Sequence, residues 1–162
     1  MKPTTLVFPL RADGAVLLGR KRRGFGADKW NGFGGKVQAA ETLRACAVRE
    51  LKEETGLTAE AADLVWCGEL QFSFAESPEQ DHPARIYLLR RFTGEPQLTD
   101  EMEPRWFAPD EVPYAQMWAA DRCWLPRILA GERMAGEIVF GADDTVQECR
   151  LRRIEDVDVA AP

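Results

Sequence analysis

Apolar and polar positions alternate with strand-like spacing at the start of the chain. Thr5 to Leu10 and Ala15 to Arg20 read as two strands, with Ala12-Asp13-Gly14 as the turn between them. A glycine-dense loop follows from Gly24 to Gly35. Glu41 to Thr55, rich in Ala, Leu, Glu, Arg and Lys, then predicts a helix, with Gly56 standing where a helix stop belongs. Leu64 to Phe74 and Arg85 to Phe92 predict two further strands, separated by a polar loop over Ser77 to Pro83. A strand bearing Trp106 is expected next, and then a second helix from after Met117 to Ala130, closed by Gly131. Pro126 falls inside that helix, where its missing N–H removes a backbone bond. Glu137 to Phe140 and Val146 to Leu151 complete the set of expected strands. The pattern predicts one mixed α/β domain over residues 1–155, with a frayed tail from Asp156 to Pro162.

Composition narrows the class of molecule. The chain has 162 residues, 45% hydrophobic and 30% charged, which suits a soluble domain with a buried core. A formal net charge of -6 argues against a general nucleic-acid binder, because a phosphate backbone would be repelled. A small anionic substrate stays open if a cation or a local basic patch offsets that charge. No stretch approaches the ~20 apolar residues of a membrane span, and the first residues lack a signal-peptide layout. Cys46, Cys67, Cys123 and Cys149 lie far apart without a CxxC pair. They read as reduced thiols of a cytoplasmic protein. The single histidine, His82, sits in the polar loop and reads as a solvated side chain.

The sharpest chemical feature is Arg49-Glu50-Leu51-Lys52-Glu53-Glu54-Thr55-Gly56-Leu57. At roughly 100° per helical residue, Glu54 lies about 40° from Glu50, and Glu53 about 60° the other way. The three acids share a face while Val48 and Leu51 turn toward a core. Neighbouring like charges repel by a few tenths of a kcal/mol per pair, so a compensating group is expected. A hard divalent cation such as magnesium suits oxygen ligands. Taken alone, the same face fits a solvated surface relieved by Arg49. A Walker A reading fails, because Gly35-Lys36 is followed by Val37 and residue 30 is Trp30 rather than glycine.

The wider frame is more specific. Gly35, then Glu41, then the run from Arg49 to Leu57 spell G-x5-E-x7-R-E-U-x-E-E-x-G-U, where U is a bulky aliphatic residue. The chain therefore resembles the Nudix hydrolases. The resemblance implies an α/β/α sandwich with a mixed sheet and a loop-helix-loop catalytic motif at one sheet end. It also implies Mg²⁺, with Mn²⁺ as an alternative, held by Glu50, Glu53, Glu54 and the Gly34 carbonyl. Arg49 would orient these acids, and Glu41 would join the site. Glu101, in Thr99-Asp100-Glu101-Met102, is the candidate water-activating acid and a further metal ligand from outside the motif; its plainer reading is an exposed loop acid.

Likeness to the branch of the family that hydrolyses oxidised purine nucleoside triphosphates extends from about Thr5 to Arg153. It rests on Lys21 to Gln38, Glu101-Met102, Trp106-Phe107, Val112-Pro113-Tyr114, Met117-Trp118 and Trp124-Leu125-Pro126. By that resemblance Asn31 meets the base edge, Trp118 stacks on its face, and Phe25, Phe72 and Phe74 line the pocket. Thr5 lies near the floor and Trp124 supports the wall, while Lys21 and Gly35 complete the substrate-binding set. The implied reaction converts 8-oxo-dGTP to 8-oxo-dGMP and pyrophosphate in a monomer that acts on a small-molecule nucleotide, without nucleic-acid or membrane partners. One position departs from the branch: two adjacent acids are expected after the stacking Trp, and Ala120 replaces the first, leaving Asp121 alone. Other substrates remain open, among them a dinucleoside polyphosphate or a methylated purine triphosphate, as does a binding module without catalysis.

Overall fold

The computed structural model describes residues 2–155, so the expected fraying of Asp156 to Pro162 lies outside the described residues. Eight strands and two α-helices form the frame: β1 (Thr4–Pro9), β2 (Val16–Lys21), β3 (Trp30–Asn31), α1 (Leu43–Thr55), β4 (Leu64–Phe74), β5 (His82–Leu89), β6 (Met102–Phe107), α2 (Asp121–Leu129), β7 (Met134–Phe140) and β8 (Val146–Arg153). Five strands make a mixed sheet in the order β1-β5-β4-β7-β8, parallel at β1-β5 and β4-β7 and antiparallel elsewhere. β3, β2 and β6 make a small antiparallel sheet.

Strand periodicity distributes the core. Side chains alternate faces, so in β1 Val7 joins one apolar cluster and Phe8 the other, and in β5 Tyr87 and Leu89 oppose Ile86 and Leu88. One cluster takes Ala47 and Leu51 from α1; the other takes Trp124, Leu125 and Ile128 from α2. The helices thus cover opposite sides of the main sheet, in the expected α/β sandwich. Each fully buried side chain such as Leu51 contributes about 1.5–3 kcal/mol by leaving water.

Several element boundaries differ from those expected. α1 begins at Leu43 rather than Glu41, because the Thr42 side chain accepts the Ala45 N–H at 3.0 Å and caps the helix. Gly56, at φ +82°, closes it in the left-handed region, with its N–H on the Lys52 carbonyl. β5 runs from His82 to Leu89 instead of Arg85 to Phe92. Its register is set by β1, where Thr4 pairs with Ala84, and by β4, where Phe72 pairs with His82. Pro83 precedes the β1 pairing, where a missing N–H is tolerated. Phe92 leaves the sheet and stacks on Trp106 at 6.0 Å. α2 is also shorter than expected, starting at Asp121, and it carries Pro126 inside.

Candidate active site

Backbone geometry in the glycine loop brings β1 and α1 together. Thr5 N–H bonds the Gly35 carbonyl and Val7 N–H the Phe33 carbonyl, so the loop runs along the outer edge of β1. A Cβ on Gly34 would stand 1.6 Å from the Thr5 carbonyl oxygen, and one on Gly35 would stand 2.5 Å from Glu50 Oε1. Only glycine allows both approaches.

Beneath this loop the α1 acids divide into two groups. Glu54 is buried, and its Oε1 accepts the Gly34 N–H at 2.8 Å. Burial first, then the charge of Glu50, pushes its pKa up to about 8, while the Gly34 N–H pulls the other way. Burial also raises Glu50, offset by the Arg49 guanidinium at 3.0 Å. Glu53 instead turns outward, 56% exposed, onto Arg49 at 3.2 Å. Arg49 also grips Glu41 through two bonds, of 2.6 and 3.0 Å, which lower the Glu41 carboxyl to about 2. Glu41 is therefore held against Arg49. Among the described residues no three acid, Cys or His side chains converge into a ready-made metal cage. The donor chemistry still fits a divalent cation: two carboxylates, Glu50 and Glu54, are held near each other in a partly dry site, each disfavoured as an anion.

Glu101 lies on the loop before β6, with Oε1 2.9 Å from Arg23 Nη2. It stands close enough to Glu54 for its charge to raise the Glu54 pKa. Lys21 acts on Glu54 in the opposite sense.

The acidic end opens into a cavity of about 190 Å³. Its lining includes Glu54, Lys21, Gly34 and Gly35 together with Thr5, Asn31, Asp121 and Trp124. Aromatic rings form the rest. Phe25 meets Trp118 at 5.2 Å and Phe74 at 5.6 Å, and Phe74 stacks on Phe140 at 4.9 Å. Lys29 Nζ sits 5.0 Å above Trp118. The ten substrate-contact positions expected from the sequence all border this one cavity. Asn31 Oδ1 accepts the Gly32 N–H at 2.8 Å, which turns its amide nitrogen free to donate. Thr5 Oγ1 rests 3.6 Å from the Cys46 sulfur.

Asp121 is fully enclosed, and burial drives its pKa up to about 8. The nearby Trp124 indole N–H pulls it down somewhat, yet Asp121 Oδ2 and Trp124 Nε1 complete no regular hydrogen bond. A protonated carboxyl with an unmatched oxygen is a polar group waiting for a partner inside an aromatic pocket. Ala120 beside it is also fully buried.

His82 is corrected by the structure. It is half-buried at the start of β5, packs on Phe72 and Phe74, and borders the cavity rather than standing in solvent. The shift of β5 toward the N-terminus carries it there, and nothing in the local sequence signals that register. Lys29 and Phe140 are also lining residues the sequence reading omitted; they arrive from the glycine loop and from the end of β7.

Comparison with known proteins places this geometry in a lineage. The NUDIX domain model matches residues 1–128. The chain is 44% identical over 156 residues to an oxidized purine nucleoside triphosphate hydrolase of Danio rerio, covering 96% of this chain and 97% of that protein. It is 41% identical over 151 residues to the protein of the same description from Mus musculus, covering 93% and 94%. A crystal structure of a MutT protein from Bacillus halodurans superposes with a TM-score of 0.76 at 25% identity, covering 93% of this chain and 97% of that one. With a glycine loop closed over an acidic helix and a family match across most of its length, the chain belongs to the NUDIX family.

Proposed function

We propose that the chain hydrolyses oxidised purine nucleoside triphosphates, converting 8-oxo-dGTP to 8-oxo-dGMP and pyrophosphate with Mg²⁺. The observation that carries this reading is a single cavity whose lining holds both Glu54 of the acidic helix and the enclosed carboxyl of Asp121. The descriptions of the zebrafish and mouse relatives support the same substrate class.

In this reading Trp118 and Phe25 hold the base by its face, while Asn31 and Asp121 meet its edge. The glycine loop lets backbone approach the phosphates, and Lys21 balances their charge. Glu50 and Glu54, with the Gly34 carbonyl and with Glu53 once it leaves Arg49, would hold the cation. A divalent cation there supplies charge neutralisation on the phosphate oxygens during attack. Water oxygen bonds the α-phosphorus, the bond from that phosphorus to the bridging oxygen breaks, and pyrophosphate departs. The water proton passes to a carboxylate, for which Glu101 Oε2 is proposed, since Arg23 holds Oε1.

The protein acts as a single domain and as a monomer. Among the described residues no helix is long and apolar enough to cross a membrane. The test is kcat/KM with Mg²⁺ for 8-oxo-dGTP beside dGTP, 2-hydroxy-dATP and a dinucleoside polyphosphate, repeated with Mn²⁺ and with chelator. A clear preference for 8-oxo-dGTP that chelation abolishes is expected. Comparable rates on all four, or preference for the polyphosphate, would leave the diphosphate chemistry and remove the oxidised-purine substrate.

A further inference from the structure

His82 opens β5 opposite Phe72 of β4. Its ring lies 5.5 Å from Phe72 and nearly parallel to Phe74, at 6.2 Å and 24°. It borders the same cavity as Asn31, Trp118 and Asp121. Nδ1 stands 2.6 Å from the Gln80 carbonyl oxygen. A carbonyl oxygen can only accept, so Nδ1 carries the hydrogen. In the tautomer with its hydrogen on Nδ1, the lone pair lies on Nε2. One backbone contact thus selects the tautomer and leaves an acceptor in a wall otherwise made of rings.

The other polar groups of the cavity are placed differently. Lys21 and Lys29 only donate. One lone pair of the Asn31 oxygen is taken by the Gly32 N–H, Thr5 Oγ1 lies against the Cys46 sulfur, and the Asp121 carboxyl, its pKa raised by burial, offers a donor as well as an acceptor. His82 Nε2 is the acceptor set beside the rings of Phe72 and Phe74.

Oxidation at C8 changes a purine most sharply beside that carbon. An ordinary guanine presents a lone pair at N7, whereas the 8-oxo form carries N7–H. We propose that His82 Nε2 is the specificity-determining atom that separates the oxidised purine from its parent, accepting N7–H of the 8-oxo base and opposing the N7 lone pair of the unmodified one. This rests on the function proposed above and names the atom that would enforce it. Leaving a buried acceptor against a second lone pair is the form of discrimination that hydrogen-bonding sites achieve best.

The experiment compares kcat/KM for 8-oxo-dGTP, dGTP and 7-deaza-dGTP in the unaltered protein and in His82→Phe, which keeps a ring on Phe72 and Phe74. The unaltered protein should turn over 7-deaza-dGTP faster than dGTP, because C7–H has no lone pair. His82→Phe should lower the 8-oxo-dGTP to dGTP ratio about tenfold and erase the difference between dGTP and its 7-deaza analogue. A ratio unchanged by the substitution overturns the assignment while leaving the oxidised-purine reading intact. Equal rates on dGTP and 7-deaza-dGTP in the unaltered protein overturn it as well, whether or not the variant folds. Absence of any 8-oxo preference in the unaltered protein would instead sink the substrate reading on which the assignment rests.

Discussion

Glu54 and Asp121 are both buried acids, yet their surroundings suit them to different work. Glu54 keeps one oxygen on the Gly34 N–H and feels the charges of Glu50 and Lys21. Asp121 is surrounded by rings and holds its proton. Glu54→Gln preserves the shape and the Gly34 bond but removes the ability to become a carboxylate that holds a cation. It should lower kcat by about 10²-fold or more, with far less change in nucleotide affinity, as read by steady-state kinetics and by direct titration of ligand. Unchanged turnover would favour a binding module over an enzyme. Ala120 bears on base choice. Two adjacent carboxyls sharing a proton can present a donor or an acceptor to different bases, and Ala120 leaves Asp121 without that partner. The unaltered protein is therefore expected to handle 2-hydroxy-dATP poorly. Ala120→Asp should raise kcat/KM for 2-hydroxy-dATP relative to 8-oxo-dGTP; no relative gain would count against the single-acid account.

Among the elements, α1 has to be at once a core helix and an acidic platform. Ala47 and Leu51 face the apolar cluster under the sheet, while Arg49 spans Glu41, Glu50 and Glu53 on the other side. The guanidinium is held strongly protonated by those contacts, with the Glu41 bond foremost. Its caps are separable from its chemistry. Thr42 contacts the Ala45 N–H at the far end of the helix from Glu54. Thr42→Ala should cost about 1 kcal/mol in urea denaturation while changing kcat/KM little. A large loss of activity without loss of stability would mean that the helix start contributes to the reaction.

For the molecule as a whole, buried acids tie stability to pH. Asp121 has an ordinary value near 3.8, raised in the fold to about 8 by burial. Between those values the folded chain retains a proton that the unfolded chain has released. Stability from this group is therefore complete below about pH 4 and declines as pH rises toward 8. Asp121→Asn removes the titration. Melting temperatures of the two proteins at pH 5 and pH 7.5 should show the unaltered protein losing ground against the variant at the higher pH. A constant gap between them would mean that Asp121 is ionised in the fold.

The frame from Gly35 to Leu57 was legible in the residues alone, because its chemistry is local: helix spacing sets the acids, and glycine marks where backbone must pass close. β4 was likewise readable to its ends, since its composition and its pairing agree. The sequence by itself thus determined the reaction motif, the mixed α/β class and the aromatic character of the pocket. Tertiary structure decided what depends on register and burial. It moved β5 so that His82 entered the cavity, engaged Glu41 with the Arg49 guanidinium, and enclosed Asp121 until its carboxyl held a proton. Those outcomes arise from contacts between segments distant in the chain, and from exclusion of water, neither of which a local pattern of residues encodes.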